Sequence, residues 1–144
     1  MTKEKMTYQM PNVGCMIGTA YQALLSKLSL ALADAGLDIT PAEYMVLRVL
    51  YDQEGLQQCE IAEIIGRDKA GVSRCVAGME KKGLVRTEAV SHKCLRVYLS
   101  DKGRSVEAAV MDVANERHRA LEGLVDGRDM EVFVKVLRTI IQQQ

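Results

Sequence analysis

"GRDKAGVSRCVAGMEKKGLV" (residues 66–85) holds a helix start, one apolar face and a stop within a single stretch. Asp68 is placed to cap the helix, and Gly83 to end it. Val72, Cys75, Val76 and Met79 follow the i, i+3, i+4, i+7 spacing that lines one side. The opposite side presents Lys69, Ala70, Ser73, Arg74 and Ala77, a mixture of small and basic side chains. Such a face is either simply solvated or shaped to lie against another molecule, and its neighbours in the chain decide which.

Upstream, "QQCEIAEIIG" reads as a short helix starting near Gln57, with Ile61, Ala62 and Ile65 inward and Gly66 closing it. Before it, "ITPAEY" combines Thr40 as cap, Pro41 in the first turn and Glu43 reaching back as a capping box. Ile39 and Tyr44 are spaced for a hydrophobic staple, and the helix runs to about Asp52, ended by Gly55. Downstream of Gly83 the period becomes alternating. "LVRTEA" and "CLRVYL" are expected as two strands of a hairpin separated by "VSHK".

The ends of the chain are helical. Val13, Ile17, Tyr21, Leu24, Leu28 and Leu32 form a stripe on a first helix that starts near Pro11 to Val13 and stops at Gly36. A long fifth helix starts at Ser100 and Asp101, with Gly123 interrupting it. A last one begins near Asp126 and carries Val132, Phe133, Val136, Leu137, Ile140 and Ile141.

At 144 residues the chain is read as one domain with an aliphatic core, having one Phe, no Trp and eight Met. No continuous apolar run approaches the roughly 18 residues that span a bilayer, and "MTKEKMTYQMPNVG" lacks a secretory signal's apolar block. A cytoplasmic protein without membrane contact is expected. Cys15, Cys59, Cys75 and Cys94 are then free thiols, with Cys75 and Cys94 read as small buried hydrophobes. Net charge is zero, yet residues 67–104 hold ten Lys or Arg against four Asp or Glu, between acidic flanks. A basic middle of this kind suits a polyanion.

Two short helices joined at Gly66 and followed by a hairpin make a helix-turn-helix with a wing. "ITPAEYMVLRVL", "CEIAEIIGRDKAGVSRCVAGMEKKGLV" and "VYLSDKG" resemble the MarR family of winged-helix transcription regulators, in register from about Ile39 to Gly103. The resemblance implies a mainly α fold of about six helices with a small β-hairpin wing. It also implies a homodimer, residues 1–36 and 105–144 supplying the dimerisation helices and 37–104 the DNA-binding lobe. The apolar faces of the first and last helices are too extensive for solvent, which points the same way.

On a duplex, the residues nearest the base edges of the major groove would be Lys69, Ala70, Ser73 and Arg74. Arg74 suits a guanine edge or a phosphate, Ser73 either, and Ala70 close approach or a thymine methyl. Lys81 and Lys82 are read as near the backbone or solvated. Family wings commonly carry an Asp and an Arg near the tip; "SHKCLR" offers Ser91 for the acid and His92 or Lys93 for the base. A lysine lacks arginine's planar fork, and Ala77-Gly78 stands where basic residues are common, so modest affinity is expected.

Further readings stay open. The family typically releases DNA when a small phenolic or amphipathic effector binds between the dimer helices and the winged helix; a hundredfold loss needs about 2.7 kcal/mol of coupling. Cys15 matches the position of the reactive cysteine in the family's hydroperoxide-sensing branch, at a helix start where the dipole favours an anion. Packing in the dimer seam is its simpler role. His92 and His118 read as a hairpin-tip and an exposed helical residue. His92 with Cys94 could suggest metal ligands or a nucleophile pair, but no further ligands follow at zinc spacing. No cofactor, metal or enzyme motif is found. The alternative class is a winged-helix protein-interaction module that does not touch DNA.

Overall fold

The structure is a computed structural model that describes residues 12–143. The stretch read above for a secretory signal lies, but for its last three residues, outside the described part, as does Pro11. α1 (Val13–Asp34) starts on Asn12, whose side-chain oxygen accepts from the Cys15 amide at 3.0 Å. Gly36 follows it at φ 75°. α2 (Pro41–Asp52) opens on the expected capping box: the Glu43 amide donates to Thr40 Oγ1 (3.2 Å) and the Thr40 amide to Glu43 Oε1 (2.9 Å). β1 (Leu56–Gln57), α3 (Gln58–Ile65) and α4 (Lys69–Lys81) come next, then β2 (Val85–Ser91) and β3 (Cys94–Leu99). α5 (Asp101–Ser105), α6 (Glu107–Glu122) and α7 (Gly127–Gln142) complete the chain.

The core sits where α2, α3 and α4 meet the sheet. Val46, Leu47 and Leu50 of α2, Ile61 of α3, Val72, Val76 and Met79 of α4 and Val97 of β3 are all essentially inaccessible. Ile39 and Tyr44, the staple pair, are buried in the same cluster. Leu32 of α1 and Val110 of α6 reach it from the two end helices.

Several expectations need correction. Seven helices, not about six, are present among the described residues, because the fifth breaks at Val106 into α5 and α6. Neither Gly nor Pro marks that break. The hairpin is also part of a three-stranded antiparallel sheet, ordered β1-β3-β2. Leu56 and Gln57 pair with Val97 and Arg96, so Gln57 both ends a strand and precedes α3. β2 runs on to Ser91, opposite Cys94, with an irregularity between Ala89 and Ser91 that absorbs the extra residue. Only His92 and Lys93 are left in the turn.

α1 departs from expectation too. By length and composition, though not as one unbroken apolar run, it is long and apolar enough to cross a membrane. Its hydrophobic residues lie on more than the predicted stripe: Leu30 and Met16 are exposed as well as Val13, Ile17, Tyr21 and Leu24. α7 is strongly two-faced and makes at most slight contact with the rest of the chain. Its Val132, Phe133, Val136, Ile140 and Ile141 are between 46% and 67% exposed among the described residues.

Candidate nucleic-acid interface

The turn between α3 and α4 depends on Gly66, which takes φ 69°, a left-handed conformation that costs a side-chain-bearing residue energy. Asp68 Oδ1 then accepts from the Gly71 amide at 2.8 Å and fixes the first turn of α4. Val72, Val76 and Met79 anchor one face in the core, which turns Lys69, Ala70, Ser73, Arg74 and Ala77 outward. Cys75 is half-buried between the two faces, and burial followed by the nearby Glu43 charge pushes its thiol pKa up.

The basic middle divides into two sets. Arg96 Nη1 donates to the Gly55 carbonyl (2.7 Å), and Lys102 Nζ to the Lys82 carbonyl (2.8 Å). Arg104 pairs with Glu54, and Arg86 lies 4.4 Å from the Tyr98 ring centroid. Lys82 is neither solvated nor poised for a phosphate, contrary to the reading above. Its ammonium reaches back to α2 and sits 2.8 Å from Glu43 Oε1 and 3.4 Å from Asp38 Oδ1. Burial works against that charge, but the bond and charge of Glu43, helped by Asp38, outweigh it and raise the Lys82 pKa. All five of these cations hold the fold together.

The other five stay uncommitted: no side-chain hydrogen bond or ion pair engages Arg67, Lys69, Arg74, Lys81 or Lys93 among the described residues. All five are exposed. They lie in the α3–α4 turn, along α4 and at the hairpin tip. Arg67 was missed as a candidate; its position just before the α4 cap was the available clue.

The structure brings the wing tip to the start of α4. A cleft of about 110 Å³ is lined by Lys69, His92 and Lys93 together with Gln57, Gln58, Cys59, Cys94 and Leu95. Ala70, Ser73 and Arg74 continue from it along α4. Cys94 is half-buried, not buried. His92 is exposed in the turn, while His118 sits on α6, 3.1 Å from Glu122. Among the described residues no group of three or more His, Cys, Asp or Glu is placed to hold a metal. Cys15 is exposed in the first turn of α1. Tyr21 Oη points to the Met45 sulfur (3.9 Å) and Tyr44 Oη accepts from Arg48 (3.0 Å).

A second, open groove of about 400 Å³ runs between α2 and α3, lined by Tyr44, Met45, Arg48, Val49, Ile64 and Ile65. It combines apolar walls with one guanidinium, one phenol and the carboxylate of Asp52, so it can take a small amphipathic molecule.

The profile of the MarR family matches residues 37–93, the stretch from the end of α1 to the wing tip. Over that stretch the chain is similar to the MarR family. Transcriptional regulator HosA of Escherichia coli O157:H7 is 28% identical over 106 residues, covering 72% of this chain and 78% of the relative. Among solved structures, Bordetella bronchiseptica BpsR, whose DNA binding is regulated by 6-hydroxynicotinic acid, superposes with a TM-score of 0.80 at 20% identity. That match covers 92% of this chain and 96% of BpsR. CouR from Rhodococcus jostii RHA1, bound to p-coumaroyl-CoA, gives 0.77 at 19% identity over 95% and 98% of the two chains. The fold is therefore the MarR-type winged helix with the end helices included, and the chain is similar to transcriptional regulators of that type.

Proposed function

We propose that the protein is a dimeric, sequence-specific DNA-binding regulator, a repressor released by a small ligand. The observation that carries this reading is the set of uncommitted cations on and beside α4. The sequence crowds ten basic residues into one segment, and the fold spends half of them internally. The remainder face outward around a helix whose small residues allow close approach, where a major groove would meet them. Lys69, Ala70, Ser73 and Arg74 would read or touch the groove, with Arg67 beside them and His92 and Lys93 of the wing near the backbone.

A second copy of the chain is the natural cover for α1 and α7, whose exposed apolar faces this protomer leaves open. On this division, residues 1–36 and 105–144 build the dimer frame and 37–104 the DNA-binding lobe. Two-fold symmetry then calls for a pseudo-palindromic site with half-sites about 34 Å apart. The apolar character of α1 belongs to that frame and not to a bilayer, which fits a cytoplasmic, non-enzymatic protein. The α2–α3 groove is the place for a small phenolic or amphipathic effector, in keeping with the ligands of BpsR and CouR.

Binding to duplexes selected from a random pool, measured against salt concentration, tests the reading. Counterion release requires affinity to fall steeply with salt. A flat response would favour a protein-interaction module instead. Arg74→Ala should lose about 1–3 kcal/mol at the selected site; an unchanged affinity would return Arg74 to a solvated face.

A further inference from the structure

On the DNA-binding function proposed above, we infer that His92 makes the wing's hold on a duplex conditional on a proton. As an imidazolium it joins Lys69 and Lys93 as the third cation facing one backbone phosphate. The chain has two histidines, and imidazole is the side chain that ordinarily changes charge between pH 5 and 8. They are placed very differently. His118 lies on α6 with its Nε2 3.1 Å from Glu122 Oε1, so a carboxylate of its own helix answers its charge. His92 is exposed in the two-residue turn of the wing, and among the described residues no side-chain hydrogen bond or ion pair engages it.

The cleft that His92 lines gathers charge of one sign. Lys93 comes from the same turn and Lys69 from the start of α4, while β3 adds Cys94 and the start of α3 adds Cys59. Among the described residues no carboxylate lines it. The acids beside its walls are engaged elsewhere. Asp68 Oδ1 accepts from the Gly71 amide at 2.8 Å, and Glu60 Oε1 from the Gln57 amide at 3.2 Å. Glu88, farther down β2, lies opposite Arg96 and pairs with Arg86. The cleft is small, about 110 Å³, so a single phosphate at its mouth faces all three nitrogen bases at once. Pairing of Ser91 with Cys94 closes the ladder directly beneath the turn, which holds His92 and Lys93 toward that mouth.

A phosphate beside an imidazole favours its charged form. Duplex binding therefore takes up a proton, and by linkage a falling pH favours the bound state. The contact is present below the titration range of the imidazole and is lost as pH rises through it. One added charged contact should tighten binding about threefold to tenfold. It also neutralises one further phosphate, so the slope of log affinity against log salt should steepen by about 0.9. Lys69 and Lys93 keep their charge throughout and supply the part of the slope that pH does not move.

The experiment measures affinity of the full-length chain for a duplex selected from a random pool, between about pH 5.5 and 7.5 and across salt concentrations at each pH. The parent should bind more tightly, with the steeper slope, at the acid end. His92→Gln should hold the weaker affinity and the shallower slope at every pH, and His92→Lys the tighter affinity and the steeper slope at every pH. His118→Gln should follow the parent. A His92→Gln protein that keeps the parent's response to pH overturns the inference, as does a response lost in His118→Gln. Duplex binding by the parent that is indifferent to pH overturns the proton switch and leaves the DNA reading standing. Absence of duplex binding by the parent and by His92→Lys at every pH overturns the DNA reading, and the switch falls with it.

Discussion

Gly103→Ala should be among the most damaging single-methyl additions to this fold. A Cβ at Gly103 would fall far inside van der Waals contact of the Leu84 carbonyl oxygen, 3.2 Å from its carbon and 3.3 Å from Leu99 Cδ2. The nearest atoms are backbone, so no side chain can swing aside. Relief requires α5 and the turn after α4 to part by roughly an ångström. Overpacking of this sort costs about 1–3 kcal/mol. Two hydrogen bonds across the seam are strained with it, Ser100 amide to Leu84 carbonyl and Tyr51 hydroxyl to Gly103 carbonyl, both 3.0 Å and each worth about 0.5–1.5 kcal/mol. Alanine returns about 1 kcal/mol through its better helix propensity. A net loss of about 3 kcal/mol remains, which lowers Tm by roughly 6–12 °C in a chain of this size. Thermal unfolding at matched protein concentration measures it. Gly127→Ala, in the first turn of α7 with nothing within 4 Å, is the control and should be neutral or slightly stabilising. A Gly103→Ala protein melting within a degree or two of the parent would refute the packing argument.

Other outcomes follow from the same geometry. Lys82→Met leaves the Glu43 carboxylate, 5% exposed, without its cation and should cost about 1–3 kcal/mol at neutral pH. Because the folded Lys82 pKa is raised above 10.5, its contribution is full below that value and fades as pH climbs through the folded one. Urea midpoints of parent and variant should therefore converge only in that alkaline range; convergence near neutrality would contradict the assignment. On the dimer proposed above, Phe133→Asp on the open face of α7 should sediment as a monomer, and an unaltered mass would place the interface elsewhere. Cys75, half-buried with its pKa pushed up, should react with a thiol reagent at neutral pH far more slowly than exposed Cys15 and Cys59. Equal rates would show that α4 does not shelter it.

What the sequence revealed, it revealed through local chemistry. Thr40 and Glu43 are three residues apart, and their capping box forms as expected. Gly66 and Gly83 sit at positive φ where the chain has to turn, and the outward set on α4 follows from the period of Val72, Val76 and Met79. Non-local pairings left no such trace. β1 is two residues long and exists only because Leu56 and Gln57 meet a strand some forty positions away. Lys82 reads as one more basic residue until α2 folds back to present Glu43. The division of the cations into fold-holding and outward sets has the same origin, since Arg96 and Lys102 are engaged by carbonyls of distant turns. No residue type announces the break at Val106.

That break has a mechanical meaning. α5 and its cap are riveted to the end of α2 and to the turn after α4 through Tyr51, Glu54 and Gly83, whereas α6, one residue further on, packs against α1. α6 also reaches the core directly through Val110, so the joint at Val106 and that contact together fix how the end helices sit on the lobe. The phase between the two halves is consequently set by the residue count there: one inserted residue would advance α6 by about 100°. Such an insertion would turn Val110 out of the core as well as spoil the alignment of the two halves.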